Sequence, residues 1–214
     1  MVSNNREFKT YTGTLFGEKV SVTSTGIGGP STAIAVEELV NLGAHTFIRV
    51  GTAGAIQGNL ETGELVIAQA AVRNEGTSQQ YAPLSFPAVA NPRIIDALYR
   101  TAISLGIKCS TGIVLSGDAL YGEIYPDRMP MSGYLKERWE TWEKCGCLAA
   151  EMECGTLFVV AAARGVNAGA VLTIVNAAAS GTDTFENTRE VALNDSIKTA
   201  VSALKVLIKE QNAN

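Results

Sequence analysis

The amino-acid sequence predicts an α/β protein with one domain, in which a mixed, largely parallel central sheet carries helices on both faces. Two observations lead to this prediction. Apolar strand-like runs alternate with helix-like segments from residue 63 onward, as parallel strands with crossover helices require. The 214 residues are enough for one sizeable core, and no internal repeat, low-complexity tract or linker divides residues 1–214.

The first predicted elements are a hairpin and a helix. Residues 8–12 and 19–23 alternate enough to form strands, joined by a turn around Gly17. The segment Gly-Ile-Gly-Gly-Pro-Ser at residues 26–31 opens a helix, because proline is favoured in the first turn, and Gly43 ends it. The same glycines would also let the backbone cradle a phosphate, so a helix start and a phosphate loop are both open interpretations.

The later elements follow the alternation. Strands are predicted at residues 46–50, 63–72, 109–115 and 169–175, and helices at residues 92–105, 134–144, 156–164 and 189–208. The last helix carries an apolar stripe that we expect to pack on the sheet, formed by Leu193, Ile197, Val201, Leu204 and Ile208.

Composition narrows the class of function. A net charge of −4 gives no basic field for nucleic acid, and no apolar run approaches the roughly 20 residues that cross a bilayer. The polar N-terminus does not resemble a signal peptide, so we expect a cytoplasmic protein. Four cysteines without zinc-site spacing and a single histidine, His45, predict reduced thiols and no metal centre.

A guanidinium inside an apolar strand is the first candidate site. Arg49 lies within the apolar run 46–50, which is typical of a covered strand, where an unpaired charge is costly. We therefore expect an anion beside Arg49. A glycine-spaced turn at residues 51–54 would add free N–H groups and the Thr52 hydroxyl, and together these groups suit a phosphate. A carboxylate elsewhere in the chain is the alternative partner, and Arg49 would then be structural.

Two carboxylates flank a methionine where an apolar segment meets a helix. A carboxylate such as Glu151 or Glu153 accepts two hydrogen bonds from a vicinal diol, and the Met152 thioether packs well under a sugar face. These features predict a ribose site, and a phosphate site beside a ribose site suggests a pentose substrate. The alternative is that the acidic residues only stabilise the helix N-terminus.

An irregular segment at residues 116–130 follows a predicted strand, at the sheet edge where ligands bind in open α/β folds. Within this segment, Arg128 could donate to a carbonyl oxygen of a base. Composition alone favours the alternative, a solvated surface arginine.

In this order along the chain, these stretches resemble the nucleoside phosphorylase family, and within it the uridine phosphorylase branch. The resemblance runs from about residue 6 to the C-terminus. Its motifs are Asn-Arg-Glu-Phe at 5–8, Ser-Thr-Gly-Ile-Gly-Gly-Pro-Ser at 24–31, Ala-Val-Glu-Glu-Leu at 35–39, Arg-Val-Gly-Thr-Ala-Gly at 49–54, Phe-Pro-Ala at 86–88 and Glu-Met-Glu at 151–153.

The family cleaves the glycosidic bond of a nucleoside with inorganic phosphate, giving a pentose 1-phosphate and the free base. The resemblance implies a nucleoside and phosphate as substrates, no cofactor, and a homo-oligomer built from dimers, up to a hexamer. By position, Arg49 and Thr52 resemble the phosphate ligands, and Arg6 resembles the arginine that a neighbouring subunit lends. The 151–153 motif matches the ribose contacts.

The resemblance also implies a base site and a cation site. Leu120 falls where an aromatic residue often flanks the base, and Arg128 matches the arginine that recognises uracil. Glu7, Ile27 and Ser31 match a monovalent-cation site that some members form between subunits.

The implied chemistry needs no catalytic histidine. Breaking the glycosidic bond puts positive charge on the sugar ring and negative charge on the departing base. A bound phosphate dianion and a donor such as Arg128 would therefore stabilise the transition state. The resemblance thus assigns catalytic roles to Arg49, Glu153 and Arg128.

Several positions depart from the pattern of the branch. Pro126 stands where the uracil site has a glutamine, so Glu123 or a backbone group would have to replace it. Ala53 stands where uridine enzymes often have a second threonine, and Ala177 follows Asn176 where many carry an arginine. The purine branch usually has an aspartate near Asn176, and its absence disfavours purines.

The N-terminus is the largest departure. Family members normally begin with a strand and a Gly-Asp-Pro loop whose arginine completes the phosphate site, and nothing before Arg6 matches these. We expect a domain shortened at its N-terminus, either part of a longer product or a remnant whose sheet has an exposed or re-paired edge.

Phosphorolysis of uridine to uracil and ribose 1-phosphate is the leading hypothesis from the sequence. A purine nucleoside phosphorylase is the nearest alternative. A chain that binds nucleoside, or oligomerises, without turnover is the alternative from another class of function.

Overall fold

Strands and helices alternate along the chain after an N-terminal hairpin. The computed structural model describes residues 1–176 and 189–212. Its strands are Ser3–Asn5 (β1), Phe8–Leu15 (β2), Glu18–Thr23 (β3), Thr46–Ala55 (β4), Leu65–Asn74 (β5), Ala88–Val89 (β6), Cys109–Gly117 (β7), Ala149–Glu151 (β8) and Asn167–Asn176 (β9). Its helices are Gly29–Asn41 (α1), Pro92–Ser104 (α2), Leu120–Ile124 (α3), Ser132–Lys144 (α4), Cys154–Ala163 (α5) and Arg189–Asn212 (α6), with 3₁₀ turns at Ser78–Gln80 and Pro126–Arg128. Each predicted strand and helix is present within a few residues of its expected bounds, and β1, β6, β8 and α3 are additional.

The central sheet is mixed and closes on itself. Its strands lie in the order β6-β5-β7-β8-β4-β9, and β9 also pairs with residues 65–67 of β5, which closes five strands into a barrel-like ring. The β4–β9, β5–β7 and β7–β8 pairs are parallel, whereas β4–β8, β5–β6 and β5–β9 are antiparallel. The prediction of a mixed sheet is confirmed, but half of its strand pairs are antiparallel and it closes into a ring, which an alternation of elements does not indicate.

Helices cover the ring on two sides. Successive residues of a strand point to opposite faces. Val66 and Ala68 of β5 belong to a core cluster shared with α1 and α5, whereas Leu65 and Ile67 belong to one shared with α2 and α6. Residues 154–161 of α5 are all buried, so this helix lies deepest in the fold. The prediction of helices on both faces is confirmed.

The buried face of α6 differs from the predicted stripe. Ile197 and Val201 remain 48% and 42% exposed, whereas Ser196, Ala200 and Ala203 are buried. The small residues let α6 approach α2 and the sheet closely, and they form the buried face for that reason. Ile208 of the predicted stripe is buried and Leu193 and Leu204 are partly buried, so counting large apolar residues alone gave only part of the buried face.

The second half of β4 corrects another prediction. Residues 51–54 were expected to form a turn with free N–H groups, but they continue the strand. Gly51 pairs with Leu172 of β9 and Gly54 with Ala150 of β8, and the register shifts only between Ala53 and Gly54. The whole segment pairs with β9 and Gly54 also pairs with β8, so these ladders compete with any ligand for the amides that they bind.

The N-terminal strands form a separate antiparallel sheet. In this sheet β2 pairs with β1 and with β3, and Phe16 and Gly17, both at positive φ, make the tight turn between β2 and β3. The predicted hairpin is confirmed. Arg6 lies in the turn between β1 and β2, at φ 53°, and the side chains of this sheet are mostly exposed.

Three further observations bear on membranes, thiols and metals. Across residues 1–176 and 189–212, no helix combines the length and the apolar character needed to cross a membrane. All four cysteines are free thiols. Within the same described ranges, no three His, Cys, Asp or Glu side chains form a group that could hold a metal ion.

Candidate active site

A cavity of about 950 Å³ opens where β4, β7 and β9 end. Its volume is in the range of small-molecule sites. One wall comes from β4 and β8 and includes Arg49, Thr52 and Glu151. A further part of the lining comes from α3 and α4 and includes Glu123 and Arg138. Ligand-sized space therefore lies between the predicted phosphate and ribose residues on one side and the predicted base segment on the other.

The Arg49 side chain lies between two carboxylates. Its Nε is 3.1 Å from Glu151 Oε2, and its Nη2 is 2.5 Å from Glu153 Oε2. The side chain of Arg49 is 16% exposed, that of Glu153 is 8% exposed and that of Glu151 is fully buried. The internal carboxylate partner, which the sequence left open as the alternative to a phosphate, is thus present. The guanidinium also lines the cavity, so the ion pair and a ligand contact are compatible.

The Glu151 carboxylate is saturated by protein donors. Oε1 accepts from Ser116 Oγ and from the Cys154 amide, and Oε2 accepts from Arg49 Nε and the Glu153 amide. A carboxylate has about four acceptor sites, so none is left for a sugar hydroxyl. Glu151 therefore lies at the N-terminus of α5 as an organiser of the site, which differs from the ribose contact that the sequence predicted for it.

The Glu153 carboxylate keeps acceptor sites free. Oε2 accepts from Arg49, and Oε1 accepts from the Gly28 amide at 2.5 Å. Two of its four acceptor sites remain. Gly28 precedes α1 at φ 93°, a conformation that favours glycine, and Pro30 stands in the first turn of that helix. The glycine run at residues 26–31 is therefore a helix start that holds Glu153, and its Gly28 amide is not offered to a phosphate.

The charges of this cluster sum to −1. Burial lowers the pKa of Arg49, but the neighbouring Glu151 and Glu153 carboxylates outweigh it and raise the pKa overall, so the guanidinium stays charged. Burial first, and Glu151 second, raise the pKa of the Cys154 thiol, which keeps this buried cysteine protonated and unsuited to act as a nucleophile. One cation faces two carboxylates, so an anionic ligand needs further positive charge.

The part of the cavity lined by α3 and α4 contains an arginine that the sequence analysis missed. Arg138 of α4 donates to Asn74 Oδ1, and its Cζ lies 5.2 Å from the Tyr134 ring centroid and 5.8 Å from that of Trp142. Tyr134 and Trp142 lie one helical turn before and after Arg138. An arginine with aromatic residues at i−4 and i+4 is the sequence pattern that could have indicated this side chain.

Glu123 of α3 lies opposite Glu151 and near Arg138. Burial, then the charges of Glu151 and Asp118, raise its pKa to about 7, while Arg138 opposes the rise. Near neutral pH this carboxyl is thus poised between its neutral and ionised forms. Leu120 and Pro126 also line the cavity at this end, as does Met152 on the opposite wall.

Two predicted arginines lie apart from the cavity lining. Arg128 is exposed, and its Cζ stacks 4.0 Å from the centroid of the Tyr125 ring. Neither it nor Arg6, in the β1–β2 turn, borders the cavity. The uracil contact predicted for Arg128 stays a prediction, and on the cavity lining itself α4 supplies a different arginine, Arg138. Ala177, where a further arginine was considered, lies outside the described residues.

The three residues compared with a cation site do lie together. Glu7 packs against Gly26, and Ser31 lies beside the same glycine. The Ser31 hydroxyl donates to the carbonyls of Ile27 or Gly28, both at 3.2 Å. The methylene groups of Glu7 and the hydroxyl of Ser31 thus lie on either side of Gly26, close to the start of α1.

Comparisons with known proteins show what this chain is similar to. A family model described as the phosphorylase superfamily matches residues 1–208. A uridine phosphorylase of Treponema pallidum (strain Nichols) is 45% identical over 211 residues, which cover 99% of this chain and 82% of that protein. Uridine phosphorylases of Thermococcus kodakarensis and Escherichia coli K12 are 45% and 41% identical over 81% of this chain, and the matches cover 63% and 70% of those proteins.

Proposed function

Because the chain belongs to the phosphorylase superfamily, we propose that it cleaves uridine with inorganic phosphate, giving uracil and ribose 1-phosphate. Such an enzyme is a pentosyltransferase of pyrimidine nucleoside catabolism, with phosphate as co-substrate. Support comes from relatives that are named uridine phosphorylase and are 41–45% identical over most of the chain. The cytoplasmic location expected from the sequence stays a prediction.

The observation that carries the proposal is the Arg49–Glu151–Glu153 cluster facing the cavity. We assign the phosphate to the free side of the Arg49 guanidinium and to the Thr52 hydroxyl, both on the cavity wall. We assign the ribose hydroxyls to Glu153, because its carboxylate keeps two acceptor sites, and the sugar face to Met152. Glu151 then acts as a positioning residue that orients Arg49.

The charge of the cluster supports an oligomer. A phosphate dianion beside a net charge of −1 requires another cation. Arg6, exposed in the β1–β2 turn, is suited to reach the site of a second copy, as the family pattern implies. We propose a homo-oligomer built from dimers on this basis. The oxygens of Glu7, Ile27 and Ser31 supply too few ligands for a monovalent cation alone, and the same set from a second copy would complete the site.

The direct test is an assay of base release from uridine, thymidine and inosine, with and without phosphate. The proposal expects uracil formation that requires phosphate. Release without phosphate would indicate a nucleosidase, and much faster turnover of inosine would indicate a purine enzyme. Calorimetric binding of uridine without any uracil formation would indicate a binding protein.

Replacing Glu153 by alanine should lower kcat/KM for uridine by about 10- to 100-fold. The reason is that two ribose hydroxyls and the Gly28 amide lose their acceptor, and leaving such buried groups unpaired costs roughly 1–3 kcal/mol. Steady-state kinetics with uridine and phosphate varied in turn measure the effect. The exposed Glu38→Ala on α1 is the matched control and should behave as the unaltered protein. Equal kinetics for both variants would remove Glu153 from the site.

A further inference from the structure

The α3 wall of the cavity presents a carboxyl group, that of Glu123, without a hydrogen-bond partner in the part of the chain that the structure describes. One oxygen of Glu123 lies against the Cα of Gly117, where any side chain would collide with it. Among the described residues, no hydrogen bond or ion pair reaches this carboxyl. An ionised carboxylate in a partly enclosed place is costly without donors, whereas the neutral acid needs fewer.

The charged groups around Glu123 favour the neutral acid as well. Glu151 on β8 and Asp118 after β7 are like charges, and Arg138 on α4 is the opposing cation. The other charged residues of α4 that border the cavity are engaged elsewhere: Lys136 pairs with Asp127, and Glu140 pairs with Lys144. Arg49 is already shared between Glu151 and Glu153.

A neutral carboxylic acid has the hydrogen-bonding pattern of a carboxamide. It offers one carbonyl acceptor beside one O–H donor, as glutamine offers a carbonyl beside an N–H. The edge of uracil offers an N–H beside a carbonyl oxygen, which is complementary to either group.

We propose that Glu123, as an undissociated acid, recognises the N–H and carbonyl of the pyrimidine edge, with Arg138 as the neighbouring donor in place of Arg128. This inference rests on the proposed function and names the residues that select the base. An ionised Glu123 would face the base carbonyl with a negative charge and no proton to donate, so binding should weaken when Glu123 loses its proton.

The experiment is calorimetric binding of uridine without phosphate, from pH 5.5 to 8.5. Because the pKa of Glu123 is raised to about 7, the unaltered protein should bind most tightly below that value, and the Kd should rise towards about tenfold per pH unit above it. The Glu123→Gln variant keeps donor and acceptor at every pH, so its Kd should match the low-pH value and stay flat. Glu137→Gln, at an exposed position of α4, is the control and should keep the pH dependence.

A second variant tests the arginine. Arg138→Met should raise the Kd at least tenfold at every pH in the range, whereas Arg128→Met should change it by less than twofold. A pH-independent Kd in the unaltered protein, a pH dependence retained by Glu123→Gln, or a larger effect of Arg128→Met would overturn the inference.

Turnover in phosphate separates this inference from the proposed function. Phosphate-dependent uracil release combined with any of those contrary binding results overturns the inference and leaves the proposed function standing. If the protein neither binds uridine nor releases uracil, both the proposed function and the inference are wrong.

Discussion

The Arg49→Ala variant should lose phosphorolysis almost entirely and should unfold about 3–5 kcal/mol more easily than the unaltered protein. The substitution removes the cation between Glu151 and Glu153, whose side chains are 0% and 8% exposed. Two buried carboxylates then repel each other without compensation. The proposed phosphate contact disappears with the same guanidinium, so stability and activity fall together.

Urea unfolding and uracil release measure the two effects. Arg164→Ala is the matched control, because Arg164 pairs with Glu37 at 2.7 Å but is 37% exposed. Surface pairs of this kind contribute at most about 1 kcal/mol. Arg49→Lys keeps the charge but cannot bridge both carboxylates, so it should recover part of the stability and little activity. Equal destabilisation by Arg49→Ala and Arg164→Ala would contradict the assigned role of the cluster.

Gly51→Ala should reduce kcat/KM with respect to phosphate by about 100-fold or more, the scale of losing one well-placed charge-stabilising donor. A Cβ at Gly51 would lie 2.5 Å from Arg49 Nη1 and 2.7 Å from Cζ. Since Glu151 and Glu153 hold the guanidinium from the other side, it cannot move away without breaking an ion pair.

Gly58→Ala provides the comparison for this substitution, because a Cβ at Gly58 meets nothing within 4 Å and the residue is exposed. Its kinetics should stay within about twofold of the unaltered protein, in line with surface substitutions. Phosphate titrations at saturating uridine give the values. A Gly51→Ala variant with normal phosphate dependence would mean that the guanidinium position is not important for phosphate.

The order of strands and helices could be predicted from the sequence because each depends on local periodicity and on turn residues. The glycine run at residues 26–31 and the stop at Gly43 were enough to place α1, for example. The closure of the sheet could not be predicted, since it depends on β8, a strand of three residues, and on β9 pairing with β5. The strand at residues 51–54 could not be predicted either, because pairing with β9 and, at Gly54, with β8 outweighs the preference of glycine for turns.

Only part of the candidate site could be predicted, again because the sequence does not show contacts between distant segments. An arginine inside an apolar run required an anionic partner, and the structure supplies Glu151 and Glu153 from 102 residues or more further along the chain. Whether a carboxylate has spare acceptor sites depends on contacts such as that of the Gly28 amide with Glu153. Arg138 was missed because its role arises from how α4 packs across the cavity, which residue type alone does not indicate.

The two walls of the cavity differ in how firmly they are held. Residues 51–54 of β4 pair with β9 and Gly54 also pairs with β8, whereas α4 has no fully buried residue. Amide hydrogens of this part of β4 should therefore exchange with deuterium slowly, and those of α4 rapidly. Under the proposed function, we therefore expect α4 to move more easily than β4 when nucleoside enters the cavity and free base leaves it.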